Sequence, residues 1–175
     1  MGGGLDRCGR AAHVVGMSVA FTKEEDSESS AADLPDRPIS SHPNLVTPEG
    51  LALIEAALAE ARAAYSAAQH GADVKGDRTA MARATRDLRY WGARRASAQL
   101  IETPANPEKV GFGVTVTLER EDGRPQSFRI VGEDEADPKA GSVSYISPMA
   151  SALMGKEVGD VVTVAGREVE VTGLG

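Results

Sequence analysis

The residues able to carry covalent or metal chemistry are few and scattered. Cys8 is the single cysteine, and His13, His42 and His70 stand far apart, so the sequence offers no hydrolase triad and no zinc-type ligand spacing. Charged side chains are grouped instead. Asp73 and Asp77 lie on either side of Lys75 near a Gly71 to Gly76 turn; Glu133, Asp134, Glu135 and Asp137 crowd a second turn; Arg78, Arg83, Arg86, Arg89, Arg94 and Arg95 recur along one run. Each group also has an ordinary structural reading. Asp77 can cap a helix, Asp73 can be a solvated turn residue, the acidic turn a wet loop, and the arginines a solvated helical face. Recognition by charge is the chemistry left to such a set.

The formal net charge of −7 argues against holding duplex nucleic acid by phosphate neutralisation and favours protein partners or small ligands. The charge is uneven: residues 1–46 carry four bases against seven acids, 47–107 eight against seven, and 108–175 seven against twelve. Aromatic residues make up only 4%, so a core must be built from Val, Ile, Leu and Ala. A lone cysteine excludes an intrachain disulfide and fits a reducing cytoplasm. No apolar run reaches membrane-span length, and residues 1–16 lack the apolar stretch of a signal peptide. Met17 reads as a more ordinary start, so translation is expected to begin there.

Three segments position these residues. Residues 1–46, and Thr22 to Asn44 above all, are rich in Ser, Glu, Asp and Pro and are expected to form a disordered tail. Thr47-Pro48-Glu49 then combines a capping oxygen, a proline at the first helical position and an acid at the positive end of the dipole. Leu51, Ile54, Leu58, Ala61, Tyr65 and Ala68 follow at steps of three and four, the spacing of a narrow apolar seam. A second helical run extends from Asp77 to Leu100, with Met81, Ala84, Leu88, Trp91 and Ala98 as its seam and Arg95 interrupting it. Residues 47–103 thus predict an antiparallel helical hairpin, projecting as an arm because its outer faces are polar.

Beyond the proline-marked linker Glu102 to Pro107 the period changes to two. Phe112, Val114, Val116 and Leu118 predict one strand, Phe128 and Ile130 a second, Val143 and Tyr145 a third, with two more at Val161 to Val164 and at Val169 and Val171. Ser147-Pro148 repeats the cap-and-proline signal for a short helix ending at Gly155. The expected architecture is α+β: a helical hairpin, then a small antiparallel sheet over 108–175 with one helix packed on it.

Four ordered blocks in this last segment carry a resemblance: Val110 to Val116, Ile130 to Asp137, Ile146 to Lys156, and Val158-Gly159-Asp160. Together they resemble the C-terminal domain of the GreA/GreB transcription elongation factors. Thr47 to Leu51 resembles the family's first-helix entry, so the likeness runs from about Pro43 to Gly175. It implies an FKBP-like fold that binds the rim of the RNA polymerase secondary channel, and a coiled coil that enters the channel. By the same resemblance, Asp134, Glu135, Asp137, Ser147, Pro148 and Met149 fall on the polymerase-facing surface. Arg78, Arg83, Arg86 and Arg89 would contact nascent RNA or acidic channel walls.

At the tip of the family's coiled coil a motif close to Asp-Leu-Ser-Glu-Asn-Ala-Glu-Tyr carries two carboxylates, which help hold a Mg²⁺ shared with the polymerase and so activate water for RNA cleavage. This chain departs from that pattern. Aligning Gly76-Asp77 with the family's Gly-Asp puts the second acid on Ala80, and using Asp73 puts it on Gly76. The hairpin is also shorter than the family's. The expectation is a monomeric, non-enzymatic regulator on RNA polymerase, with weak or no cleavage stimulation, no duplex DNA binding and no membrane. Two alternatives stay open: an active cleavage factor using Asp73 and Asp77 with Mg²⁺, and a regulator of another protein such as nucleoside diphosphate kinase. Prolyl isomerisation, which an FKBP-like fold suggests, needs an aromatic-lined pocket; Phe112, Phe128 and Tyr145 are the available rings, and the strand pattern places the first two in the core.

Overall fold

Thr47 starts the first helix as its chemistry requires: its Oγ1 accepts the Gly50 N–H at 2.9 Å, and α1 runs from Pro48 to His70. The computed structural model describes residues 34–70, 77–120 and 123–175. Helix α2 spans Asp77–Ser97 and packs along α1, with Glu55 near the start of α1 meeting Arg95 near the end of α2 at 2.8 Å. The two helices touch chiefly each other. Ile54, Leu58, Ala61 and Ala68 are buried on α1, but Leu51 and Tyr65 stay half-exposed. On α2, Ala84 and Arg94 are buried, while Arg95, the expected interruption of the seam, lies outside and pairs with Glu55.

The second helix stops earlier than its periodicity suggests. The Asn44 side-chain amide donates to the Arg94 carbonyl at 2.7 Å, and Ser97 Oγ donates to the Ala93 carbonyl at 2.9 Å. These bonds satisfy carbonyls that another helical turn would have used. The chain then extends as β2 (Gln99–Leu100), which pairs in parallel with β1 (Leu45–Val46). The expected tail therefore ends sooner than residue 46. Leu45 and Val46 are a strand, Asn44 and Val46 are buried, and the segment before them is a strap held against α2 by Asp36 and Arg37, since a proline-rich segment can be held by side chains without a regular element of its own. Residues 1–33 lie outside the described residues.

The C-terminal sheet contains β3 (Thr115–Arg120), β4 (Pro125–Val131), β5 (Ser142–Ser144), β6 (Val161–Val164) and β7 (Arg167–Leu174), in the order β5-β4-β3-β7-β6. It is mixed, which corrects the all-antiparallel expectation: β5 runs parallel to β4, because the chain between them returns through the acidic turn before pairing. A register shift between Thr117 and Leu118 marks an irregularity opposite β7. Helix α3 (Pro148–Leu153) covers one face, and its Ala150 and Leu153 join Val116, Leu118, Ile130, Val143 and Val171 in the core. Phe112 falls outside that core. The strand begins only at Thr115, and Phe112 sits edge-on to Tyr145 with ring centroids 5.9 Å apart.

Candidate functional site

The acidic turn meets the base of the helical pair. Asp134 accepts from Arg94 Nε on one oxygen and from Tyr90 Oη at 2.7 Å on the other. The second carboxylate, Glu133, lies 3.8 Å from Arg94 Nη2, so one guanidinium serves two acids. Arg94 is 2% exposed, and burial of this kind requires pairing, since the desolvation cost of an isolated charge is several kcal/mol. Glu135 is engaged too: its Oε2 accepts from Thr47 Oγ1 at 2.7 Å. A Cβ on Gly50 would come within 2.4 Å of the same oxygen, so glycine gives the carboxylate its room. Arg129 adds a tie, donating to Glu49 at 3.1 Å and to the Gly113 carbonyl at 3.1 Å.

Electrostatics follow the geometry. Burial and the hydrogen bond to Asp134 push the Tyr90 hydroxyl above its ordinary pKa of 10.0. Burial and the nearby Glu133 do the same to Tyr145, whose hydroxyl donates to the Pro43 carbonyl. Glu49 moves the other way: its own backbone N–H at the start of α1 and the Arg129 guanidinium hold it below the usual carboxylate range.

The residues singled out from sequence thus separate into groups. Asp134 and Glu135 turn into the joint between helices and sheet, while Asp137 organises its own loop, accepting the Lys139 N–H at 3.0 Å. Ser147 caps α3, accepting from the Ala150 N–H at 3.1 Å; Pro148 beside it is exposed. Met149 packs against the core and lines a cleft of about 350 Å³ with Leu118, Phe128, Val164 and Val169, together with Arg120 and Arg167. One aromatic ring, Phe128, lines that cleft.

Of the arginines, Arg89 pairs with Asp36 at 3.3 Å and Arg86 lies 3.8 Å from Asp87. Arg78 and Arg83 are exposed, with no ion pair among the described residues. Asp73 lies outside the described residues, and Asp77 is placed only as the first residue of α2. Among the described residues, no group of three or more His, Cys, Asp or Glu is arranged to hold a metal ion, and no helix is long and apolar enough to cross a membrane.

Tyr90, Asn44, Arg37 and Arg129 are the residues that sequence reasoning missed, and Arg94 stands out in it only as one of a basic run. Nothing in the spacing of six arginines distinguishes the one that faces acids 40 positions away.

Comparison with known proteins adds to this geometry. Residues 104–172 match the family model described as transcription elongation factor, GreA/GreB, C-terminal region. A transcription elongation factor GreB of Pseudomonas aeruginosa is 38% identical over 135 residues, which cover 69% of this chain and 80% of that protein. A transcription elongation factor GreA of Desulfovibrio desulfuricans is 43% identical over 96 residues, or 54% of this chain and 58% of its own length. The chain spans about half the length of the GreA proteins it matches. Among solved structures, GreA factor homolog 1 of Thermus thermophilus is 22% identical, with 77% of this chain and 99% of that one covered, at a TM-score of 0.37.

Proposed function

The chain belongs to the GreA/GreB family of transcription elongation factors, and from that premise we propose that it regulates RNA polymerase, docking by its C-terminal domain at the secondary-channel rim while its helical arm reaches inward. The single observation that carries this reading is the match to a GreB over 80% of that protein's length, too long to be the C-terminal domain alone. The bolted joint supports it physically. An arm that must enter a channel needs a fixed bearing on the domain that docks, and Arg94 with Asp134 supplies one.

In this reading Pro148, exposed beside the cleft, together with Ser147 and Met149 meets the polymerase, and Asp134 and Glu135 act at one remove by holding the arm. Arg78 and Arg83 face the channel or the RNA. The arm stimulates transcript cleavage weakly or not at all, because neither alignment of its tip restores a pair of acids for a shared Mg²⁺. Two experiments decide the matter. Purified RNA polymerase should retain the chain at low ionic strength and retain Pro148→Ala less well; failure to bind at all would sink the docking. Backtracked complexes should show little added cleavage; robust cleavage that vanishes in Asp73→Ala or Asp77→Ala would establish an active factor instead.

A further inference from the structure

Residues 34–46, the strap together with β1, have two halves held by different means. Residues 43–46 are fixed through the backbone: β1 pairs with β2, the Pro43 carbonyl accepts from Tyr145, and Asn44 is buried against the end of α2. Among the described residues, 34–42 make no backbone-to-backbone hydrogen bond. Two side chains hold this outer half. Asp36 Oδ1 lies 3.3 Å from Arg89 Nη1, and the Arg37 guanidinium sits 3.7 Å over the Tyr90 ring and 5.1 Å from the Trp91 ring, with Asp87 3.5 Å away. Exposed ion pairs of this kind are weak, and a segment with so few bonds belongs to the least stable part of a fold.

A carboxylate on an arginine beside a planar cation on an aromatic face repeats the two contacts by which single-stranded nucleic acid is held, phosphate to guanidinium and base to ring. The geometry points to Asp36-Arg37 as an internal stand-in for RNA: it closes a site for a single strand formed by Arg89, Tyr90 and Trp91, which opens when the outer strap lifts. Asp87, left by Arg37, stays 3.8 Å from Arg86, so its charge remains partly matched. Pro35 and Pro38 keep the outer half extended, so it leaves as a unit, and the anchored half keeps it close enough to return. This inference rests on the reading of the arm as reaching toward RNA, and adds that the face is shut until a strand displaces the strap.

The test uses the full chain, a fluorescently labelled single-stranded RNA oligonucleotide at low salt, and the emission of Trp91, the single tryptophan. Arg37→Ala removes a positive charge, which by charge alone weakens RNA binding. Release of the strap demands the opposite sign: binding about three- to ten-fold tighter, since apparent affinity scales with the open fraction, with a shift in Trp91 emission. Arg37→Lys should lie between. Asp36→Ala should also bind more tightly, and by more than Glu168→Ala, an equal change of charge on β7. Equal or weaker binding by Arg37→Ala, tightening in only one of the two strap variants, or no RNA binding by any form would each overturn the gate. Polymerase retention, measured separately, tests the docking: its loss with the gate intact removes only that reading.

Discussion

The two halves of the helical pair are made of different material. Near the sheet, Ile54 and Leu58 fill the seam, Arg94, Tyr90 and Thr47 tie the helices to the acidic turn, and Asn44 closes the end of α2. Farther out the buried positions are alanines: Ala61 and Ala68 on α1, Ala84 on α2. Alanines let helices approach closely but remove little apolar area from water. The bearing of the arm is therefore set at its base, and the outer half follows.

Arg94→Ala should break that contrast most severely. It leaves Asp134 and Glu133 facing a low-dielectric joint without their cation, a cost of about 3–5 kcal/mol, readable by urea denaturation as a lower midpoint. Next comes the apolar seam: Ile54→Ala should cost about 2–4 kcal/mol through lost burial and a cavity, whereas Ala68→Gly in the outer half should cost about 1 kcal/mol. Equal losses at the two positions would mean that the halves are not different after all. Thr47→Ala removes both the cap on Gly50 and the bond to Glu135, and about 1–2 kcal/mol is expected. Thr47→Ser, which keeps the hydroxyl, should recover most of it.

The smallest effect is one of pH. Glu49, held below its ordinary range, contributes stability that is present above its unfolded pKa and is lost as pH falls through the folded one. Glu49→Gln should flatten this acid limb of the stability curve, with a small loss at neutral pH that disappears below the folded-state pKa of Glu49. Tyr90, shifted upward, has the opposite sense: its contribution holds below the ordinary tyrosine pKa and fades as alkaline pH ionises it beside Asp134.

Much of this frame was legible in the residues, wherever the cause is local. Thr47-Pro48 and Ser147-Pro148 start helices because a hydroxyl and a missing N–H solve the same problem of free amides. The return between β6 and β7 follows from Ala165 and Gly166, which take φ of 51° and 78°. What escaped depends on distant partners. Arg94 looks like its five neighbours until acids 40 residues on are placed against it, and β5 is too short for its direction to be read. The strap escaped for the same reason, since polar, proline-rich sequence says nothing of an arginine resting on a tyrosine far along the chain.

Because β1 and β2 lie side by side, the polypeptide enters and leaves the helical pair at one doorway. Whole turns added to or removed from both helices together would leave that doorway, and the domain behind it, undisturbed. The length of the helical pair and the fold of the domain are then separate variables, and one can change while the other stays as it was.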